Sequence, residues 1–172
     1  AGLGAVLGAT NDYDSAFRLG QLCFQAQEKY GLHAGATYGT YLLIDHWRRP
    51  LHMAFEPLLK AFEAGMKDGE INDAYWCIVT YSCFYFHSGL PLSPIKDDLD
   101  AHCRDMVRYG QFMPLRILQP YVQLLENVQT DSKERVKVEG SVIKDIDSFI
   151  TVCKVSKHYI GLNAVNICEL ML

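Results

Sequence analysis

Apolar positions recur along this chain at helical spacing. Tyr13, Ala16, Phe17, Gly20, Cys23 and Phe24 keep the i, i+3, i+4 interval that lines one face of a helix. The clearest stripe is Leu51, Ala54, Phe55, Leu58, Leu59, Phe62 and Met66. Pro57 falls inside it, so the helix either kinks there or begins there with proline in its first turn. Ahead of these faces, residues 2–10 are rich in Ala, Gly and Leu and predict a helix packed closely on a neighbour. Asn11 or Asp12 is positioned to cap the second helix, and Gly31 to close it. A third helix is expected over 32–46, with small residues (Ala34, Gly35, Ala36, Gly39) among larger ones.

Asp68 and Gly69 stop the striped helix, and Asn72 or Asp73 opens the next, which runs to Phe86. That segment is apolar nearly all round, as a helix buried on every side is. Its residues 76–81, aromatic and β-branched, also read as a strand. Further on, Ser93 is expected to cap a helix with Pro94 at its first position, reaching Tyr109 and turning Leu99, Cys103, Met106 and Val107 inward. Gly110 stops it. Pro114 opens another, with Leu118, Tyr121, Val122 and Leu125 inward and Pro120 as a kink. Residues 129–140 turn polar and charged, notably at 131–135. Ile143, Ile146, Phe149, Ile150 and Cys153 then resume helical spacing, and 159–172 predicts a last helix.

Two stretches repeat each other at a shift of 38 residues. Ala16, Phe17, Phe24, Ala26, Lys29, Gly31 and Ala36 return as Ala54, Phe55, Phe62, Ala64, Lys67, Gly69 and Ala74. A weaker echo at 41 carries His46, Pro50, Leu51, Leu58 and Gly69 onto His87, Pro91, Leu92, Leu99 and Gly110. Periods of this size mark arrays of helix pairs. The register favours a helix over a strand at 76–81. The expected fold is all-α, a tetratricopeptide-like right-handed superhelix of antiparallel helix pairs, that is, an α-solenoid. Its organisation is an array over 1–127, a polar connector over 128–140 and a further hairpin over 141–172.

Composition narrows the function. The 172 residues carry 16 Lys and Arg against 20 Asp and Glu, a net charge of −4, without the basic stripe that nucleic-acid binding needs. No apolar run is long enough to span a membrane. The chain opens on Ala1 and Gly2 with no charged segment ahead of an apolar one, which reads as the interior of a longer protein. The six cysteines lack any CxxC or disulfide-framework spacing, which places them as reduced thiols in the cytoplasm.

Four groups of residues invite a chemical reading. Cys83 and His87 stand four apart on one helix face, but a zinc site needs three or four ligands. Asp97, Asp98 and Asp100 lack the Gly and Glu of a calcium loop and suit a helix N-terminus. Asp45 and His46 have no nucleophile elbow to complete a triad. Trp47, Arg48 and Arg49 form a turn of residue types enriched at binding hot spots, and they are the candidate partner-binding residues. Packing of Trp47 between hairpins, with wet arginines, accounts for the same three residues. No catalytic residue, cofactor or metal is called for.

A family resemblance adds to this. Leu3, Gly4, Leu7, Asn11, Asp12, Tyr13 and Ala16 fit the tetratricopeptide pattern, while Gly20, Cys23 and the Gly31 that stands where a proline is usual depart from it. The run His46 to Leu51, the stretch 58–65, Asp68, Gly69, Glu70 and the run Phe86 to Leu92 resemble the helical-repeat region of large multidomain signalling proteins. Those proteins place a serine/threonine-kinase-like domain and an AAA-type signalling ATPase ahead of the repeats, and a sensor, histidine-kinase or cyclase module behind. The resemblance covers 1–127. It implies a non-catalytic regulatory scaffold whose partners are other proteins or its own signalling domains. The alternative is a ligand sensor holding a small molecule in the aromatic interior around 75–86. An exposed apolar face marks the first and an enclosed Tyr/Trp-lined cavity the second.

Overall fold

The computed structural model describes residues 2–31, 33–129 and 137–171. Every regular element among them is helical, residues 76–81 included. Leu32, the expected start of the third helix, the charged run at 131–135 and the final Leu172 lie outside the described residues. The chain divides into two compact units, Ala1–Leu90 and Pro91–Leu172, a division that falls inside the span 1–127.

The first unit holds α1 (Gly2–Ala9), α2 (Tyr13–Tyr30), α3 (Ala34–Leu43), α4 (Phe55–Asp68) and α5 (Ile71–His87). Asp12 caps α2, its carboxylate accepting from the Ser15 N–H at 3.1 Å. The main chain leaves α2 and α4 through Gly31 and Gly69, whose φ of 107° and 85° a side chain would oppose. α3 stops at Leu43, short of His46, because Asp45–Trp47 tighten into a 3₁₀ turn. Leu51–Ala54 make a second such turn, and α4 starts at Phe55. Pro57 therefore sits in the first turn of α4, where its missing N–H leaves no bond unmade.

Neither Asn72 nor Asp73 opens α5. It starts at Ile71, with Glu70 before it. The Glu70 carboxylate reaches instead to the start of α3, accepting from the Ala34 N–H at 3.1 Å and meeting His33 Nδ1 at 3.0 Å. One side chain thus serves as a cap for a helix 36 residues earlier in the chain.

Helices α3, α4 and α5 pack mutually around Ala34, Leu58, Ala61 and Cys77, all fully buried. Small residues set how near they come. A methyl group added at Gly65 would lie 2.9 Å from the Ala34 Cβ and 3.0 Å from the Ala74 Cβ. Ile44 fills the space beside Gly4 of α1 and Gly20 of α2 in the same way. The Cys77 thiol donates to the Ala34 carbonyl at 3.5 Å, and burial pushes its pKa up to about 12.

The second unit holds α6 (Lys96–Arg108), α7 (Phe112–Gln129), α8 (Ile146–Val155) and α9 (Tyr159–Met171). Ser93 does not cap α6. It begins a 3₁₀ turn, Ser93–Ile95, with Pro94 inside it, and α6 follows at Lys96. Leu99 and Met106 are fully buried, but Val107 is 55% exposed. Eight helical residues turn Val107 about 80° past Leu99, off the buried stripe. α7 is the core of this unit and packs on both α6 and α9.

Buried Gln123 of α7 binds the segment before α8. Its carboxamide oxygen accepts from the Val142 and Ile143 N–H groups at 2.9 and 3.0 Å, while its nitrogen donates to Asn127 at 2.9 Å. Val138, at the end of the expected polar connector, is fully buried. His158 caps α9 by accepting from the Gly161 N–H on Nδ1 at 3.1 Å, which requires a neutral ring at that nitrogen. Burial, then the Arg116 charge, lowers its pKa from the ordinary 6.5.

Two predictions follow from this packing. Gly65→Ala should destabilise by about 1–2 kcal/mol, overpacking outweighing the helix propensity gained. Gly8→Ala, where a Cβ meets nothing within 4 Å, should stabilise by up to about 1 kcal/mol. Urea unfolding followed by circular dichroism checks both, and equal signs would contradict the close approach. For His158, the unfolded chain takes up a proton as pH falls through 6.5 while the folded chain, with its lowered pKa, does not. Stability should therefore fall below that pH and level off under the folded pKa. His158→Asn, which keeps a capping acceptor, should reduce that slope in melting curves taken between pH 7 and pH 5, the remainder coming from His46 and His102, whose pKa burial also lowers.

Candidate functional site at the Trp47 turn

Burial of Ile44 against Gly4 and Gly20 ends α3 and aims the chain into the turn that carries the three candidate residues. The Arg48 and Arg49 N–H groups both donate to the Asp45 carbonyl at 3.0 Å. Pro50 then biases Arg49 away from helical geometry and stops the coil.

The two arginines are committed within the chain. Arg48 pairs with Asp14. Arg49 donates to the Gln21 Oε1 at 3.1 Å, and its Nε lies 3.6 Å from the Asp45 carboxylate. Both guanidinium groups stand over the Phe17 ring, 5.5 and 5.2 Å from its centre. Asp14, Phe17 and Gln21 share one face of α2, so a single helix face holds both charges.

Asp45 is only 3% exposed. Burial raises its pKa, against the opposing pull of Arg49 and then His46. His46 is itself held below the ordinary imidazole value by burial, and its Nδ1 lies 3.3 Å from the Tyr41 carbonyl. Asp45 and His46 thus each have a structural engagement, with Arg49 and with the main chain respectively.

Trp47 differs from its neighbours. It is 59% exposed and rests on Tyr13, with ring centres 5.7 Å apart, and on His46 at 4.5 Å. Together with Ala5, Gly8, Leu42 and Leu43 it borders a shallow cleft of about 420 Å³. Leu3, Val6 and Leu43 are also exposed in this unit.

The aromatic residues of α5 are buried or half-buried. Tyr75, Phe84 and Phe86 are buried. Phe62 packs on Tyr75 at 5.7 Å, Phe55 on Tyr81 and Tyr85 at 5.3 and 5.5 Å, and Tyr38 stacks on Trp76 at 5.9 Å. Asp100 pairs with Lys96 at 2.7 Å. Among the described residues no three His, Cys, Asp or Glu side chains stand together as metal ligands would, and no helix is long and apolar enough to cross a membrane.

A second group of polar residues escapes the sequence reading. Gln21, Gln27 and Thr37 line a cleft between α2 and α3. The only signal for it is polar Gln21 and Gln27 three residues either side of apolar Phe24. Compared with known proteins, the chain matches no family model, no curated protein and no solved structure.

The unequal burial of the two arginine pairs predicts unequal costs. Arg49→Met leaves the buried Asp45 carboxylate without its nearest cation and should cost about 1–2 kcal/mol. Arg48→Met removes an exposed pair and should cost less than about 1 kcal/mol. Denaturant titration separates them, and equal losses would contradict the role given to Asp45.

Proposed function

We propose that this chain is a non-catalytic interaction scaffold, built of stacked helix pairs and carried within a larger signalling protein. The observation that carries the reading is Trp47, a large aromatic side chain left open to solvent on a turn whose other members are fastened down. Hot-spot aromatics work this way, because a rigid anchor loses little freedom on binding. The Arg48 and Arg49 side chains serve as positioning residues for that anchor. The neighbouring apolar cleft bordered by Ala5, Gly8 and Leu43 suits an apolar protein segment laid beside the indole.

The helix boundaries support the stacked-pair arrangement. Shifted by 38 residues, Tyr13 at the start of α2 falls on Leu51, where the helical segment leading into α4 begins. In the same register Tyr30 falls on Asp68 and Gly31 on Gly69, so the first helices of the two pairs, α2 and α4, end at matching positions. A right-handed superhelix of such pairs is the arrangement we propose for the array. The resemblance to the repeat region of kinase-like and AAA-ATPase signalling proteins supports a cytoplasmic regulatory role, with nucleotide chemistry belonging to other domains of the parent protein. The packed rings of α5 favour a core role for residues 75–86 over a ligand-holding one.

The test is affinity capture with the full 172-residue chain, comparing wild type with Trp47→Ala. Loss of the exposed ring should reduce recovery of a specifically captured protein about tenfold or more, with an unchanged melting temperature. Equal recovery by the two chains would sink the proposal.

A further inference from the structure

Two turns of the second unit form one exposed end. Arg116, in the second turn of α7, donates to the Ser156 hydroxyl just past α8 at 3.0 Å, and the main chain of Met113 lies beside the His158 ring. The α6–α7 turn and the α8–α9 turn are therefore neighbours. Both carry large apolar side chains in solvent. Phe112, Met113, Val155, Tyr159 and Ile160 are between 47% and 80% exposed, Val155 the most. The charge there has one sign. Residues 106–125 and 148–168 contain Arg108, Arg116, Lys154 and Lys157 and no Asp or Glu, in a chain whose net charge is −4. The acid just before the first stretch, Asp105, adjoins a further cation, Arg104.

The backbone of Lys157 sharpens the point. Its N–H donates to the Lys154 carbonyl at 3.1 Å, and the next N–H, of His158, to the Cys153 carbonyl at 2.7 Å. This closure of a helix end sets one residue in the left-handed region, usually glycine or asparagine. The α6–α7 turn closes in the same way and has Gly110 there, at φ 67°. The α8–α9 turn has Lys157 instead, at φ 55°. A lysine side chain costs free energy in that conformation, and it places an exposed cation among the apolar groups.

We propose that this end of the second unit binds an anionic phospholipid surface. Arg108, Lys154 and Lys157 meet the headgroups, while Phe112, Val155 and Tyr159 enter the boundary between headgroups and acyl chains. Aromatic and aliphatic side chains beside cations, without acids, suit that boundary. An acidic partner helix suits it less. Such a helix lies in a groove, whereas the exposed residues here stand on helix ends and turns, and a fluid surface conforms to a projecting end. The contact is peripheral, as no described helix is long and apolar enough to cross a membrane. It goes beyond the scaffold reading and uses no residue of the Trp47 turn.

Co-sedimentation of the full chain with vesicles tests this. With about one phosphatidylserine to three phosphatidylcholine in about 0.1 M salt, half the protein should sediment near 1 mM lipid, roughly. Phosphatidylcholine alone, or about 0.5 M salt, should reduce binding at least about tenfold. Lys157→Asn should weaken binding about fivefold while holding or raising the melting temperature, because asparagine tolerates the left-handed backbone. Val155→Ser should weaken it about threefold. No sedimentation with the anionic vesicles would overturn the proposal, and retention on polyglutamate beads in that case would assign the end to an acidic protein instead. Equal binding to both vesicle types would overturn the role of the cations. Undiminished binding by Lys157→Asn, or a lower melting temperature for it, would overturn the role given to Lys157.

Discussion

The closeness of helix backbones at small residues is the constraint on which the first unit depends. Ala34, Gly65 and Ala74 bring α3, α4 and α5 together with no room for another methyl group. Gly4 and Gly20 do the same for α1 and α2, and the space they leave is taken by Ile44. A seated Ile44 can lie in only one place. The residues after it are therefore fixed relative to α2. Dispersion at that density is weak per atom and large in sum, so the position of the turn is set by packing and only trimmed by charge.

Polar groups then refine what packing has placed. Arg48 and Arg49 reach the same α2 face, one on an exposed acid and one beside a buried acid. The buried Asp45 matters more, because an ionised carboxylate out of water needs a cation or donors near it. Its carbonyl also receives both arginine N–H groups, so one residue organises the turn through main chain and side chain together. Trp47 is the member of this turn left over. Its exposure follows from the commitments of its neighbours, which is why it reads as an anchor for something else.

Helices were legible in the sequence wherever the signal was local. Gly31, Gly69 and Gly110 end helices because the positive φ of each is a property of one residue. Asp12 caps α2 by a contact three residues away, and the apolar stripes of α4 and α7 place Leu58, Leu118, Tyr121, Val122 and Leu125 inside. Signals failed where the partner was remote or the geometry changed. Glu70 gives its carboxylate to a helix 36 residues earlier, which no window over α5 reveals. The 3₁₀ turn at 45–47 shifts a helix end and those at 51–54 and 93–95 shift helix starts, because a tighter coil satisfies the same apolar pattern. Gln123 and His158 act through backbone groups whose positions only the folded chain defines. At the site, residue types picked out Trp47, Arg48 and Arg49, but not that both cations are held against α2 while the ring stays out.

That the indole is both open and immobile is the claim the proposed scaffold role rests on. The chain has two tryptophans, so a Trp76→Phe variant leaves Trp47 as the single tryptophan, excited at wavelengths that tyrosine does not absorb. Its fluorescence should be readily quenched by acrylamide while its anisotropy stays at the value of whole-molecule tumbling. An indole shielded from quencher, or one whose anisotropy collapses to that of a freely rotating side chain, would contradict the account.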